Sequence, residues 1–193
     1  DLAMLNADLP LFAGGVIGDD PDGKFIINDL IKNSIDTQFM HTTKDSPTSY
    51  TDVMTEKSTG ARTFFHCRGA NALLDVGHLL KIDAKAAIFH LGYLLLLDKL
   101  DAADDIYGVA AARVLAELQK KGYKTSVDVV SEQSDRFSKV VKPCLPYINY
   151  LIINEIEAGQ ITGLNIREQD KINGSNLKAA AKMLLEEGVQ EYV

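Results

Sequence analysis

The sequence is poor in cysteine, which argues against a disulfide scaffold and against a structural zinc site. Its two cysteines, Cys67 and Cys144, lie far apart, belong to no CxxC pair and have no histidine at ligand spacing. Disulfide-rich secreted domains and zinc modules need several closely spaced cysteines. We therefore expect two reduced thiols in a cytoplasmic protein, with a single structural disulfide as the alternative.

Long apolar runs and clusters of basic residues are also missing. The longest apolar run, AAIFHLGYLLLL at 86–97, spans 12 residues and contains a histidine, whereas a helix needs about 20 residues to cross a bilayer. The sequence does not start with a charged segment followed by an apolar one, which is the pattern of a secretion signal. The net charge is −7, without the Lys and Arg stripe that nucleic-acid binding requires. We expect neither a membrane nor a nucleic acid as partner.

Two glycine-rich motifs of nucleotide-binding proteins are absent as well. A dinucleotide site would have G-x-G-x-x-G between a strand and a helix, and the phosphate loop has G-x-x-x-x-G-K-[ST]. The stretch AGGVIGDD at 13–20 offers Gly14, Gly15 and Gly18, whose spacing does not match the first motif, and no stretch matches the second. These absences argue against a dinucleotide oxidoreductase.

Helical and strand patterns alternate along the chain, which is typical of a largely parallel sheet covered by helices. With 46% of its residues apolar, the chain can bury one sizeable core. Asp20 followed by Pro21 has the pattern of an N-cap and a first helical residue, which explains Asp20 without a metal. The apolar run at 86–92 is expected to be a strand covered on both faces. The predicted strands are 9–18, 86–92, 125–130 and 150–153, and the predicted helices are 21–33, 105–121 and 175–187.

One segment interrupts this alternation. Residues 49–68, SYTDVMTEKSTGARTFFHCR, are rich in Thr, Tyr, Phe and Val and have Gly60 near their centre. This pattern predicts an antiparallel hairpin. A hairpin without a covering helix must pack on another chain, fold over a ligand, or do both.

A second segment, LIINEIEAGQITG at 151–163, predicts a strand that runs into a helix. Asn154 and Glu157 stand at the junction with the spacing of a capping box, in which each side chain accepts a hydrogen bond from a free backbone N–H. The same residues would also place an amide and a carboxylate at the carboxyl end of a strand, where open α/β sheets bind ligands. Spacing alone leaves both interpretations open.

The order of three segments resembles that of the ribokinase-like (PfkB) carbohydrate kinase family over essentially the whole chain. These segments are GGVIGDDPDGKF, the hairpin TSYTDVMTEKSTGARTFFHCR with GANALL after it, and INEIEAGQITG. The resemblance implies an α/β fold, ribokinase-like, with a mostly parallel sheet flanked by helices and a small β-hairpin lid. The core would comprise 1–44 and 69–193, incomplete at both ends, and the lid would comprise 45–68.

The resemblance also implies an activity, namely transfer of the γ-phosphoryl group of ATP to a sugar hydroxyl with Mg²⁺. In the family the Asn and Glu of N-x-x-E support the Mg²⁺ and phosphate end, often through water, and the matching residues here are Asn154 and Glu157. The lid covers the sugar and in many members pairs with the lid of a second subunit, so we expect a homodimer. His66 and Arg68 on the lid, and Asp128 at the end of a core strand, are the candidate sugar-binding residues.

The chain also departs from the family pattern. Many members have D-x-N-x-R after the long helix, whereas Asp128 is followed here by Val130 in place of the Asn. The family's G-A-G-D segment, which supplies the catalytic base, would lie C-terminal to residue 193, so we expect no catalytic residue in this chain and no activity from it alone. Two alternatives remain open: a non-catalytic sugar or nucleotide sensor on the same fold, or a module that dimerises through the lid.

Overall fold

A computed structural model describes residues 2–5, 8–132, 134–168 and 171–193 of the chain. It divides into two compact units, unit 1 (Asp1–Leu74) and unit 2 (Asp75–Val193).

Unit 1 contains a parallel strand pair with a helix between the strands. Leu11 pairs with Ile35 at one end of this sheet and Gly18 pairs with Thr43 at the other. The side chain of Asp20 accepts a hydrogen bond from the backbone N–H of Gly23 and caps the helix, which confirms the predicted cap. The elements of the unit are β1 (Leu11–Gly18), α1 (Pro21–Lys32), β2 (Ile35–Thr43), β3 (Tyr50–Thr55) and β4 (Arg62–Cys67), with short 3₁₀ helices at Leu2–Leu5 and Gly69–Leu73.

The strands β3 and β4 form the antiparallel hairpin that the sequence predicts. Their register runs from the pair Tyr50 and Cys67 to the pair Thr55 and Arg62. All residues of β3 are exposed, and those of β4 are exposed or half-buried. Little apolar burial therefore holds the hairpin in place. The division into a core of 1–44 and 69–193 and a lid of 45–68 remains a prediction.

Unit 2 contains a parallel sheet of three strands, Ile88–Leu94, Lys124–Val129 and Tyr150–Ile152 in spatial order, flanked by helices, in agreement with the predicted fold class. The elements of the unit are α2 (Val76–Leu79), β5 (Ile88–Leu94), β6 (Ala103–Asp104), β7 (Gly108–Val109), α3 (Ala110–Lys120), β8 (Lys124–Val129), α4 (Phe137–Val140), a 3₁₀ helix at Lys142–Tyr147, β9 (Tyr150–Ile152), α5 (Glu155–Thr162), β10 (Arg167–Glu168), β11 (Lys171–Ile172) and α6 (Gly174–Glu186).

Two local predictions for unit 2 are wrong. The long helix was expected to start at 105, but α3 starts at Ala110, because the side chain of Asp104 accepts hydrogen bonds from the backbone N–H groups of Ile106 and Tyr107, both at 3.0 Å, and holds a turn. The strand β5 was expected to be covered on both faces. In unit 2 the side chain of Ile88 on β5 is 52% exposed, because one face of the sheet lines an open cavity of about 540 Å³.

The two cysteines are free thiols, as expected, with Cys67 half-buried and Cys144 buried. Burial raises the pKa of the Cys144 thiol well above its usual range, so this group stays protonated. Among the residues that the structure describes, none of the helices combines the length and the apolar composition needed to span a bilayer.

Candidate active site

The two strands that carry the candidate residues of unit 2 are direct neighbours. β8 and β9 pair in parallel, with Ser126 opposite Tyr150 and Asp128 opposite Ile152. Because parallel strands end at the same edge of a sheet, the segment after β8 and the segment after β9 lie side by side. In open α/β sheets this carboxyl edge is where ligands bind.

Asn154 follows β9 and is the N-cap of α5. Its Oδ1 atom accepts hydrogen bonds from the backbone N–H groups of Ile156 at 2.9 Å and Glu157 at 3.0 Å. In return, Oε2 of Glu157 accepts from the backbone N–H of Asn154 at 2.9 Å. The capping box predicted from the spacing is confirmed.

The carboxylate of Glu157 receives further donors. Its Oε1 atom accepts from the Nδ2 of Asn154 at 2.9 Å and from the hydroxyl of Ser131 at 2.6 Å. Glu157 is only 4% exposed, and a buried carboxylate is tolerated only where such donors compensate its lost hydration. Three donors therefore fix both oxygens of a buried charge at the carboxyl edge of the sheet.

Ser131 is the member of this site that sequence reasoning missed. It stands two residues after the end of β8, donates to Glu157 and accepts a hydrogen bond from the Nδ2 of Asn154 at 3.0 Å. The hydroxyl thus closes a ring of hydrogen bonds with both residues of the N-x-x-E pair. The available signal was its position just after the neighbouring strand, three residues beyond Asp128.

An arginine anchors the segment that carries Ser131. Arg136 donates to both carboxylate oxygens of Glu132, at 3.1 and 2.9 Å, and to the backbone oxygen of Leu95 at 2.8 Å. These contacts link the segment after β8 to the segment after β5. The hydrogen bonds to Glu132 raise the pKa of the Arg136 guanidinium, so the anchor carries its charge at all ordinary pH values.

Asp128 lies near the same carboxyl edge as the Asn154 and Glu157 pair. It is the penultimate residue of β8 and half-buried. Its Oδ1 atom accepts a hydrogen bond from the backbone N–H of Val129 at 2.8 Å.

The other two candidate sugar-binding residues belong to unit 1. His66 lies on β4, and its Nδ1 atom is 2.7 Å from the hydroxyl oxygen of Thr51 on β3. Its Nε2 atom is buried and has no hydrogen-bond partner in the described part of the chain. Burial, and then the nearby Arg68 guanidinium, lower the pKa of His66, so the ring is neutral at neutral pH. Arg68 follows β4 and begins the turn into the 3₁₀ helix Gly69–Leu73.

The oxygen atoms of the Ser131, Asn154 and Glu157 cluster are of the type that Mg²⁺ prefers. Mg²⁺ binds hard oxygen ligands and keeps several of its waters. In the described residues no group of three or more His, Cys, Asp and Glu side chains could hold a metal ion directly. One buried carboxylate with an amide beside it fits a role in orienting water around Mg²⁺, and does not fit a protein cage.

Solved structures share the α/β fold of this chain. 2-Dehydro-3-deoxygluconokinase from Thermotoga maritima aligns with a TM-score of 0.76 at 16% identity, over 97% of this chain and 58% of that chain. A ribokinase from Arabidopsis thaliana, complexed with ribose and ATP, aligns with a TM-score of 0.67 at 20% identity, over 93% of this chain and 53% of that one. Ribokinase from Giardia lamblia aligns with a TM-score of 0.66 at 19% identity, over 93% of this chain and 51% of that chain.

Residues 9–193 match the model of the pfkB family carbohydrate kinase, and the chain belongs to this family. The ribokinase-like fold predicted from the order of its segments is confirmed. No curated protein sequence matches the chain. The chain spans about half the length of the solved structures that it resembles.

Proposed function

We propose that the complete protein transfers the γ-phosphoryl group of ATP to a hydroxyl group of a sugar. The observation that carries this proposal is the match of residues 9–193 to the pfkB family carbohydrate kinase model. The likeness to a ribokinase that was solved with ribose and ATP supports it. Phosphoryl transfer needs charge neutralisation around the phosphates, a base for the hydroxyl proton and a site closed to water.

Asn154 and Glu157 serve the phosphate end of this site. Bound Mg²⁺ would neutralise charge on the phosphate oxygens. The ring of hydrogen bonds around Glu157 supports this role, because it holds both carboxyl oxygens in one orientation at the carboxyl edge of the sheet. Asn154 caps α5 and orients that carboxylate, so one pair of residues serves both the helix and the site.

We propose a sugar-binding role for Asp128 in unit 2 and, separately, for the hairpin residues His66 and Arg68 in unit 1. The hairpin is proposed to act as a lid of 45–68 on a core of 1–44 and 69–193. Its exposed strands support this role, because strands with so little buried surface are free to contact a ligand or a second subunit. The neutral ring of His66 suits hydrogen bonding to a sugar hydroxyl.

The base that accepts the hydroxyl proton is expected C-terminal to residue 193, where the family resemblance puts the G-A-G-D segment. For this reason the chain of 193 residues alone is expected to transfer no phosphoryl group. We also propose a homodimer that forms through the hairpin. A cytoplasmic location is proposed as well, and the two free thiols support it.

The test is an ADP-release assay on the complete protein with ATP, Mg²⁺ and a panel of pentoses, hexoses, sugar acids and nucleosides. We expect ADP release to depend on one or a few of these compounds and to disappear when EDTA removes Mg²⁺. Isothermal titration with the same panel runs in parallel.

Two outcomes would contradict the proposal. Saturable sugar or nucleotide binding without ADP release would identify a sensor. If neither ATP nor any compound of the panel binds, the remaining interpretation is a module that dimerises through the hairpin.

A further inference from the structure

Asp20 makes more contacts than a helix cap requires. Its Oδ1 atom accepts from the backbone N–H of Gly23 at 2.8 Å, which is the cap, and also from the hydroxyl of Thr48 at 2.7 Å. Its Oδ2 atom accepts from the backbone N–H of Thr48 at 2.7 Å. One carboxylate therefore caps α1 and also holds a residue that lies 28 positions further along the chain.

Thr48 is buried, with 3% of its surface exposed, and extends this contact to the end of β1. Its Oγ1 atom accepts a hydrogen bond from the backbone N–H of Gly18 at 2.9 Å. The approach is close, because a Cβ atom at Gly18 would lie 2.6 Å from the backbone nitrogen of Thr48. Hydrogen bonds thus join the end of β1, the start of α1 and residue 48 into one cluster.

Both ends of the hairpin meet at this cluster. On the entering side, Thr48 comes two residues before Tyr50, where β3 begins. On the leaving side, the backbone oxygen of Pro47 accepts from the N–H of Ala70 at 2.7 Å, three residues after β4 ends. Gly69 permits this contact, since its φ is +46° and a Cβ atom there would lie 2.5 Å from the Pro47 oxygen.

We propose that Asp20 is a positioning residue that fixes the base of the β3–β4 hairpin through Thr48 and the adjoining Pro47. The hairpin strands are exposed, so they contribute little burial to hold it, and segments with few buried contacts open most readily. The hydrogen bonds from Thr48, with that from Gly23, lower the pKa of Asp20, which keeps the carboxylate charged at neutral pH. Any effect of Asp20 on sugar binding rests on the proposed function, whereas its role in holding the hairpin does not.

Four single variants separate the anchor from the helix cap. Asp20→Asn keeps an oxygen for the cap but cannot accept both bonds from Thr48, because one carboxylate oxygen becomes an NH₂ group. Thr48→Val removes the hydroxyl, whereas Thr48→Ser keeps it. Asp22→Asn is the matched control, since it removes the same charge from an exposed position in the first turn of the same helix.

Limited trypsin digestion of the protein measures opening of the hairpin directly. Lys57 lies in the turn of the hairpin and Arg62 is the first residue of β4, whereas Lys24 and Lys32 lie in α1. We expect cleavage after Lys57 and Arg62 to be about tenfold faster in Asp20→Asn and Thr48→Val, because proteolysis follows the population of the open form and a hydrogen bond to a charged group is lost. Cleavage after Lys24 and Lys32 should not change, and Thr48→Ser and Asp22→Asn should behave as the parent.

The double variant Asp20→Asn, Thr48→Val should be cleaved more slowly than the product of the two single effects predicts, since the changes remove two bonds of the same contact and effects at contacting residues are not independent. Parental cleavage rates in Asp20→Asn would overturn the proposal, and so would equally fast cleavage in Asp22→Asn. In the complete protein, Asp20→Asn should raise KM for the sugar more than it lowers kcat, and Thr48→Ser should keep the parental KM. A parent protein that phosphorylates no sugar would contradict the proposed function, while the digestion would still decide on the anchor.

Discussion

Asn154 donates two hydrogen bonds to the carboxylate of Glu157 at the carboxyl edge of the unit 2 sheet. The backbone N–H of Asn154 donates to Oε2 of Glu157 at 2.9 Å, and the Nδ2 of Asn154 donates to Oε1 at 2.9 Å. The first bond belongs to the helix cap, whereas the second only orients the carboxylate. Because the two bonds use different atoms of Asn154, substitution can separate the role in the helix cap from the proposed role in supporting Mg²⁺.

The variant Asn154→Ser tests this separation. Serine retains an oxygen that can cap α5, so we expect the free energy of unfolding to fall only by the value of the one lost hydrogen bond to Glu157, about 1.5 to 3 kcal/mol. The donor to Glu157 Oε1 is lost, and we expect the Mg²⁺ concentration for half-maximal activity of the complete protein to rise by about 10- to 100-fold, as for residues that orient metal ligands.

Asn173→Ser provides the control for this change. Asn173 caps α6 by accepting a hydrogen bond from the backbone N–H of Asn176, so it tests the cap without the carboxylate. Its Mg²⁺ requirement should equal that of the parent protein. If Asn154→Ser also keeps the parental Mg²⁺ requirement, the role proposed for the N-x-x-E pair is wrong.

Ser131→Ala should also weaken the proposed support of Mg²⁺, because Ser131 lies just after the neighbouring strand β8 and contacts Glu157. The hydroxyl donates to the buried Oε1 atom of Glu157 at 2.6 Å, and hydrogen bonds to charged groups contribute about 1.5 to 3 kcal/mol. We expect lower thermal stability and a Mg²⁺ requirement that rises about tenfold. Denaturant unfolding and kinetic assays at varied Mg²⁺ concentrations measure the two effects.

Ser131→Thr retains a hydroxyl and should restore much of the Mg²⁺ response, which a purely steric role of residue 131 would not explain. Ser138→Ala is the matched control, because Ser138 is an exposed residue of α4. Parental values of both stability and Mg²⁺ requirement in Ser131→Ala would exclude Ser131 from the site.

Local patterns in the sequence were sufficient to predict most elements of the fold and part of the site. The cap at Asp20, the hairpin and the capping box of Asn154 and Glu157 are all determined by residues close together in the chain. The start of α3 was misplaced because the side chain of Asp104 holds residues 104–107 in a turn, and helical periodicity does not reveal that contact.

Contacts between distant residues could not be predicted in this way. Ser131 donates to Glu157 across 26 residues, and Asp20 accepts from Thr48 across 28. Both contacts depend on which strands and loops become neighbours, a property of the folded chain and not of any short segment. In each case the sequence identified one residue of the pair by its cap and missed the residue that the fold brings to it.

The stability of unit 1 should depend on pH through His66. Burial, and the charge of Arg68, lower the pKa of this histidine in the folded chain, whereas its pKa in the unfolded chain is about 6.5. Between the two pKa values the unfolded chain binds the proton and the folded chain does not, so stability is present above about pH 6.5 and declines as the pH falls below that value.

Thermal unfolding at pH 7.5 and pH 5.5 measures this dependence. The midpoint of the parent protein should fall further between these values than the midpoint of His66→Gln, which keeps a side chain able to bond Thr51 but does not titrate. His78→Gln is the control, because His78 lies in unit 2 in contact with Asp75. Equal shifts in the parent and His66→Gln would contradict the prediction.

The hairpin makes a last prediction, which concerns the proposed homodimer. Side chains alternate between the two faces of a strand pair, so Phe65 lies on the face opposite to His66. Phe65 is 58% exposed and Phe64, on the face of His66, is 56% exposed. A large exposed aromatic side chain is the kind of residue that anchors an interface, and a dimer that leaves the His66 face to the sugar would bury Phe65.

Sedimentation velocity over a range of concentrations compares Phe65→Glu with Phe64→Glu. We expect Phe65→Glu to weaken dimerisation by about thirtyfold or more, the effect of losing one well-buried interface residue, and to leave the KM for the sugar nearly unchanged. Phe64→Glu should instead keep the dimer and raise that KM. The reverse assignment of effects would show that the dimer uses the His66 face, and a parent protein that stays monomeric at all concentrations would exclude the hairpin as a dimer interface.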